Sequence, residues 1–131
     1  MASLEVGITG SLERTVRDED TASTIGSGSL AVLATPIMIA AAEQACADLV
    51  QPLLDEGMST VGTRLDIRHL APTPVGMNYR VDCELTAVNG RVLSFNVVIN
   101  DERERVGEGT HERVIINEER FLKKALGKKA A

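Results

Sequence analysis

A long apolar segment that begins at Thr35-Pro36 constrains the fold of this chain more than any other feature. Threonine is a good N-terminal helix cap and proline suits the first helical position, so the pattern predicts a helix that Thr35 caps and that reaches about Leu54. Residues 37–42 are apolar all round, which predicts that the first half of the helix is buried on most sides. The segment is therefore predicted to be the central helix of the fold.

Strand patterns lie on both sides of this helix. One strand is predicted at Ser11–Asp18, and the Thr-, Ser- and Gly-rich segment Asp20–Ser29 is predicted to be a loop. The hairpin signal Asn89-Gly90 indicates antiparallel pairing, and Asn117 is predicted to cap a last helix over Asn117–Gly127. Four more strands are predicted, at Ser59–Leu70, Met77–Val88, Val92–Asn100 and Arg105–Ile116. Together these elements predict an α+β fold in which an antiparallel sheet covers the helix.

Length and charge limit the classes of protein to which this chain can belong. With 131 residues it has the length of one domain, so residues 1–131 are predicted to form a single domain. Only 2% of the residues are aromatic, which gives a thin core and favours a partner subunit that buries more apolar surface. The net charge of -5 argues against a nucleic-acid partner. Lysines on the last helix are interpreted as a solvated face, with coenzyme A phosphates as the alternative ligand.

Cysteine usage and hydropathy predict a cytoplasmic protein. Cys46 and Cys83 lie in apolar contexts, so they are interpreted as reduced core thiols. No apolar run reaches the roughly 20 residues that a membrane helix needs, and residues 1–10 do not resemble a secretion signal. No metal-ligand spacing and no Gly-rich phosphate loop occurs, so neither a metal nor a nucleotide loop is expected.

Glu43 is the most unusual residue of the central helix. It is flanked by alanines and Cys46, and burial of a carboxylate without partners is costly. Burial would also make it a usable general base. The structural alternative is that Glu43 accepts a hydrogen bond from a facing backbone, or pairs with an arginine across a dimer interface.

Thr35, His69 and His111 are further candidates, each with a structural alternative. N-terminal capping alone would explain Thr35. A lone histidine near the end of a strand is more often structural than catalytic, and this applies to both His69 and His111. The residue types alone leave these alternatives open.

Five groups of residues together help to decide between catalytic and structural roles for these candidates. They are Ala34-Thr35 with Glu43-x-x-Cys46, Val61-Gly62-Thr63, His69-x-Ala71-Pro72-Thr73-Pro74, Asn89-Gly90-Arg91-x-Leu93-Ser94-Phe95, and Gly109-Thr110-His111-Glu112-Arg113. In this order they resemble the fluoroacetyl-CoA thioesterase family of hotdog-fold enzymes, and the resemblance covers most of the chain. Several separated matches in one order are more specific than any single motif.

The resemblance implies an α+β hotdog fold, with an antiparallel sheet wrapped around a long central helix, and acyl-CoA thioesterase activity. The catalytic Thr, Glu and His of the family correspond to Thr35, Glu43 and His69, and its acyl-CoA contacts fall at Gly62 and Arg113. It also implies a homodimer or higher homo-oligomer whose sheets join edge to edge. Thr35 and Glu43 would then face His69 across the interface, and coenzyme A would be part of the substrate, with no separate cofactor.

The implied roles follow ordinary thioester chemistry, with Glu43 as the base and Thr35 attacking or orienting water. His69 would polarise or shuttle a proton, and a backbone N–H near Gly62 would bind the thioester oxygen. This chain differs from the fluoroacetyl-specific enzyme in one respect. That enzyme has an aromatic lid region before its catalytic threonine, whereas residues 26–33 of this chain contain no Phe. This predicts hydrolysis of several small or medium acyl-CoAs. A hotdog dehydratase or hydratase and a noncatalytic acyl-CoA binding module remain as alternatives.

Overall fold

A computed structural model describes residues 3–129, and its strands form one antiparallel sheet in the order β1-β3-β4-β5-β2. The strands are β1 (Thr9–Thr15), β2 (Met58–His69), β3 (Asn78–Asn89), β4 (Val92–Asp101) and β5 (Arg105–Asn117). The four long strands were predicted to within one residue at each end. The predicted end of the first strand at Asp18 is wrong, because Asp18–Asp20 forms a 3-10 turn in which Arg17 and Asp20 bond to each other.

Two short local signals in the sequence had different outcomes. The predicted loop Asp20–Ser29 contains a one-turn helix, α1 (Ala22–Ile25), which Thr21 caps and which ends at Gly26 with a φ of 84°. The prediction for the end of the chain is confirmed, since the Asn117 side chain accepts a hydrogen bond from Arg120 N at 3.0 Å and caps helix α3 (Glu118–Gly127). Thr21 explains the first difference, because its hydroxyl caps a turn that the Gly- and Ser-rich composition conceals.

The central helix α2 (Thr35–Val50) packs on one face of the sheet and continues as a 3-10 turn over Gln51–Leu53. The buried residues of the helix recur at helical spacing. Strands β3 and β4 bury every second residue, as expected for a sheet that is covered on one face. The buried residues are Met38, Ala41, Ala42, Ala45, Cys46 and Val50 from the helix, and Tyr79, Val81, Cys83, Leu85, Leu93, Phe95, Val97 and Ile99 from the sheet. This is the predicted α+β arrangement of the hotdog fold. Both cysteines are free and buried, as predicted.

The other side of α2 remains open in a single chain. Thr35, Pro36 and Ala40 are exposed, and Ile37 and Ile39 are only half-buried. The prediction that the first half of the helix is buried on most sides is therefore wrong for one chain, because the sheet covers one side only. An apolar helix face without a cover within the described residues is available for burial by another subunit.

Strand β2 is one edge of the sheet, and it is unusually long for an edge strand. It has 12 residues, pairs with β5 on one side, and has no strand on its other side among residues 3–129. Leu65 on this strand is 41% exposed. Natural proteins rarely leave such an edge unpaired, so β2 is suited to pair with a second chain. None of the described helices is long and apolar enough to cross a membrane.

Candidate active site

Thr35 and His69 form a hydrogen-bonded pair at the start of the central helix. Thr35 is the first residue of α2 and His69 is the last residue of β2. Thr35 Oγ1 lies 2.7 Å from His69 Nδ1, a normal distance for a hydroxyl bonded to an imidazole. We call these two residues the Thr35–His69 pair. It joins two of the three catalytic residues that the family resemblance implies.

Thr35 is not the N-terminal cap of the helix, so that prediction is wrong. The cap is Ala34, whose side chain makes no capping bond. Two backbone hydrogen bonds to distant parts of the chain fix the start of the helix. Leu33 N donates to Thr73 O and Ala34 N donates to Asp20 O, each at 2.9 Å. The helix therefore begins one residue earlier than capping preferences suggest, and the Thr35 hydroxyl is free to bond to His69.

The environment of His69 favours its neutral form. Burial lowers the pKa of His69, and the backbone of Ala71 opposes this effect only in part. Among the described residues, His69 Nε2 is the one fully buried side-chain nitrogen or oxygen without a hydrogen-bond partner. A neutral imidazole can accept the Thr35 proton at Nδ1, which is what activation of a hydroxyl or of a water bound to it requires.

A cleft of about 340 Å³ lies beside the Thr35–His69 pair. Its walls contain no Phe, Tyr or Trp, and its lining residues are Ala22, Ser27, Val32, Leu33, Thr35, His69, Leu70, Ala71 and Pro72. A larger cleft of about 550 Å³ lies between β1, β3 and β4 but contains none of the predicted site residues. The smaller cleft is therefore the candidate acyl site, because it contains the hydroxyl and the imidazole.

Glu43 lies on the same stripe of α2 as Thr35, but two turns further along the helix. Eight residues of helix separate their backbones by about 12 Å. Glu43 Oε2 lies 3.4 Å from Arg113 Nη1, and the two side chains are 37% and 8% exposed. The arginine pair that the sequence suggested therefore exists within one chain, and pairing of Glu43 with an arginine across a dimer interface stays a prediction.

Arg113 is buried and bonds to three other residues of the chain. Its Nε donates to Thr60 Oγ1 at 2.7 Å, and its Nη2 donates to the Thr60 carbonyl at 2.9 Å. Its Nη1 lies 3.2 Å from His111 Nε2 and also faces Glu43. Arg113 thus presents a fixed positive charge to the carboxylate, and its predicted contact with acyl-CoA stays a prediction.

Gly62 is required by the close approach of Glu43. A Cβ built on Gly62 would collide with Glu43 Oε2, and it would lie 3.2 Å from the His111 ring and 3.4 Å from Arg113 Nη1. Gly62 also stands at an irregularity where the register between β2 and β5 shifts. Only glycine leaves room here for the carboxylate against the backbone. We call Glu43, Thr60, Gly62, His111 and Arg113 the Glu43 cluster.

One chain does not bring all the predicted catalytic residues together. Thr35 and His69 meet within the chain, so the expectation that they face each other across an interface is wrong. Glu43 belongs instead to the separate Glu43 cluster. The sequence reasoning missed Thr60, although Thr60 and Gly62 share one face of β2 and a buried arginine needs acceptors. Among residues 3–129, no group of three or more His, Cys, Asp or Glu side chains could hold a metal ion.

Sequence comparison identifies relatives of this chain. A family model described as fluoroacetyl-CoA-specific thioesterase matches residues 16–119. The fluoroacetyl-CoA thioesterase of Streptantibioticus cattleyicolor is 39% identical over 100 residues, which cover 76% of this chain and 72% of that protein. The region that the family model matches includes every residue of the Thr35–His69 pair and of the Glu43 cluster.

Solved structures agree with the sequence matches. The fluoroacetyl-CoA thioesterase FlK superimposes with a TM-score of 0.92 at 32% identity, covering 97% of this chain and 98% of that one. A thioesterase superfamily member from Thermus thermophilus gives 0.87 at 27% identity, with 98% and 97% covered. A hot-dog-like protein from Thermanaerovibrio acidaminovorans gives 0.85 at 21% identity, with 96% and 93% covered, and supports the fold alone. The chain belongs to the fluoroacetyl-CoA-specific thioesterase family.

Proposed function

We propose that this acyl-CoA thioesterase hydrolyses small and medium acyl-CoAs as a homodimer with two composite active sites. Each site takes Thr35 and His69 from one subunit and Glu43 from the other. The observation that carries this proposal is the separation within one chain, where Thr35 bonds to His69 at 2.7 Å and Glu43 lies two helical turns away. A second subunit can supply the missing carboxylate.

The free edge of β2 supports a specific way of forming the dimer. In an antiparallel pair of identical strands, residues directly opposite each other lie on the same face of the sheet. A twofold axis at Asp66 would place Asp66 opposite its own copy and, because the register of β2 shifts between Gly62 and Arg64, would place His69 opposite the partner subunit's Gly62. Because Glu43 approaches Gly62 within each chain, this register would bring the carboxylate of one subunit towards the Thr35–His69 pair of the other.

The chemistry of hydrolysis fits the proposed composite site. The Glu43 carboxylate removes a proton from water, or Thr35 attacks after giving its proton to His69, and the new C–O bond forms at the thioester carbonyl. The carbonyl oxygen becomes negatively charged and is stabilised by a backbone N–H near Gly62. The C–S bond then breaks, and protonation of the thiolate releases coenzyme A. Attack by water gives the free acid in this step, whereas attack by Thr35 leaves an acyl-enzyme, whose ester bond water then hydrolyses to release the free acid and restore the Thr35 hydroxyl.

Glu43 has one carboxylate oxygen available for this task. Oε2 is held by Arg113, whereas Oε1 makes no hydrogen bond within the described residues. The side chain is 37% exposed, so Oε1 can reach a water or a substrate. A base whose position is fixed by one oxygen and whose other oxygen is free is well arranged for proton transfer.

The acyl group, compartment and cofactor requirement belong to the same proposal. The candidate cleft has small aliphatic walls, which suit acyl groups of several sizes. Gly62 and Arg113 do not line this cleft, and they stay the acyl-CoA contacts that the family resemblance implies. The two free thiols, Cys46 and Cys83, support a reducing compartment such as the cytoplasm. No separate cofactor is needed for the chemistry, because the substrate brings coenzyme A.

Thiol release by the purified protein tests the proposed function. We expect free coenzyme A to appear with short acyl-CoAs and the release to be lost in Glu43→Ala. Conversion of an enoyl- or hydroxyacyl-CoA without thiol release would identify a dehydratase or hydratase instead. Binding without conversion of any acyl-CoA would identify a noncatalytic binding module. Sedimentation at micromolar concentration should show dimers and no folded monomer.

A further inference from the structure

His111 is fully enclosed, and its two hydrogen bonds define its protonation state. It is 1% exposed, and its ring stacks on Phe95 with the ring centroids 6.2 Å apart. Its Nδ1 lies 2.7 Å from the carbonyl oxygen of Arg64. Because a carbonyl oxygen only accepts hydrogen bonds, Nδ1 must carry a proton.

The other ring nitrogen of His111 must be an acceptor. Its Nε2 lies 3.2 Å from Arg113 Nη1, and a guanidinium in proteins only donates. His111 is therefore neutral, with its proton on Nδ1. A protonated ring would set two donors against each other at Arg113 and would break this contact.

Four of the five N–H donors of Arg113 have a defined partner in this arrangement. Nε and Nη2 are both occupied by Thr60, and His111 takes one N–H of Nη1. The second N–H of Nη1 is then directed to Glu43 Oε2 at 3.4 Å. His111 thus fixes the direction in which the guanidinium meets the carboxylate.

We propose that His111 is a positioning residue for thioester hydrolysis, which holds Arg113 in the orientation that aligns Glu43. The proposal rests on the proposed function, in which Glu43 is the base. His111 itself has no route to the substrate, because its ring is enclosed by Phe95, Arg113 and the Arg64 backbone. It acts through Arg113.

The surroundings of His111 keep it in the required neutral form. Burial lowers its pKa and the charge on Arg113 lowers it further, whereas the Arg64 carbonyl, Glu43 from α2 and Glu112 from β5 act in the opposite direction. Burial is the largest of these effects. The ring therefore remains an acceptor for Arg113 at neutral pH.

Two substitutions at His111 test the proposal by kinetics. His111→Leu removes the acceptor, and we expect kcat to fall by about ten- to a hundredfold with KM changed by less than about twofold, as for a misplaced base. His111→Gln keeps an acceptor near Nε2 and should recover part of kcat. In an Arg113→Met background, adding His111→Leu should lower kcat little further, because both substitutions break the same contact between His111 and Arg113. A folded His111→Leu protein with unchanged kcat would overturn the proposal.

Nitrogen NMR of labelled histidine tests the same arrangement in the unaltered protein. The chain has two histidines, so only two sets of ring signals are expected. The His111 set should show the neutral Nδ1–H tautomer and keep it as the pH falls through 6.5, the ordinary histidine value. A neutral Nε2–H tautomer or a protonated ring would overturn the proposal. The kinetics of two variants separate the two proposals. If both Glu43→Gln and His111→Leu retain full turnover, Glu43 is not the base. If His111→Leu retains full turnover while Glu43→Gln loses it, Glu43 is the base and only the positioning role of His111 is wrong.

Discussion

The Thr35–His69 pair and the Glu43 cluster differ in how firmly each is held. The pair consists of a single side-chain bond between an exposed threonine and a half-buried histidine. In the Glu43 cluster, a buried arginine makes four contacts and a glycine leaves room for the carboxylate. One region is open and held by one bond, whereas the other is held by several bonds around a buried arginine.

This difference indicates how the two regions divide the work of hydrolysis. In the proposed mechanism Glu43 is the general base, which must be held in place before the reaction, and the Glu43 cluster holds it within each chain. The groups that meet the acyl carbonyl must remain accessible to substrate, which is true of Thr35 at the edge of an open cleft. The open region can then be completed by contact with a second subunit.

The largest effect is expected for Glu43→Gln. The amide still accepts a hydrogen bond from Arg113, so the fold should be kept, but it cannot take a proton. We expect turnover to fall by about a hundredfold or more, the scale of a lost general base. Steady-state kinetics with a melting curve measure both. Asp48→Asn, an exposed change on the same helix, is the control and should leave turnover unchanged. Full turnover with a lowered melting temperature would make Glu43 a structural residue.

A smaller loss is expected for Gly62→Ala. The added methyl group would meet Glu43 Oε2, so the carboxylate must move, while the backbone of this strand residue needs no positive φ. A displacement of this kind should lower kcat by about tenfold or more. Gly127→Ala is the matched control, because its added Cβ meets nothing within 4 Å. Unchanged kcat in Gly62→Ala would show that the close approach has no bearing on catalysis.

Acidity should weaken both regions, since each contains one histidine with a lowered pKa. The unfolded chain takes up protons near pH 6.5, whereas burial keeps His69 and His111 neutral in the folded protein to lower pH. Stability from this source is therefore complete above about pH 6.5 and is lost as the pH falls, by at most about 1.4 kcal/mol per pH unit for each histidine. Urea unfolding from pH 8 downwards measures the free energy of unfolding at each pH, and His69→Asn should make that free energy depend less steeply on pH. Stability that rises on acidification would contradict this assignment.

The smallest effect is expected for the choice between acetyl-CoA and fluoroacetyl-CoA. The candidate cleft has no aromatic wall, and the aromatic residues Tyr79 and Phe95 are buried in the core. One methylene in an apolar pocket is worth only about 1–3 kcal/mol, and replacing a hydrogen by fluorine changes the size of the acyl group by less than a methylene. Soft aliphatic walls should therefore separate the two substrates by less than about tenfold in kcat/KM. A strong preference for fluoroacetyl-CoA would require a selective contact that the aliphatic cleft does not provide.

Much of the fold could be predicted from the sequence because its signals are local. Strand alternation, the Asn89-Gly90 turn and the Asn117 cap each depend on a few neighbouring residues. The start of the central helix could not be predicted in this way. Its cap is Ala34 because backbone hydrogen bonds to the carbonyls of Asp20 and Thr73 fix the chain there, and both acceptors are distant in the sequence.

The candidate site was predictable in its residues but not in its grouping. Glu43 stood out as a carboxylate among alanines, and the family resemblance gave Thr35, His69, Gly62 and Arg113. The contact between Glu43 and Arg113 joins residues 70 positions apart, and it depends on how β5 and α2 pack. No local pattern could show that Thr35 and His69 meet in one chain while Glu43 belongs to a different cluster.

Mixing two inactive variants tests the composite site most directly. Thr35→Ala and Glu43→Gln are co-refolded in equal amounts, so that half of the dimers contain one subunit of each kind. Every mixed dimer would then have one site with intact Thr35, His69 and Glu43, and roughly a quarter of wild-type activity should return. A mixture of Thr35→Ala with His69→Ala is the control and should stay inactive, because both changes affect the same half of the site. Mixed dimers confirmed by mass spectrometry that remain inactive in the first mixture would contradict a site shared between subunits.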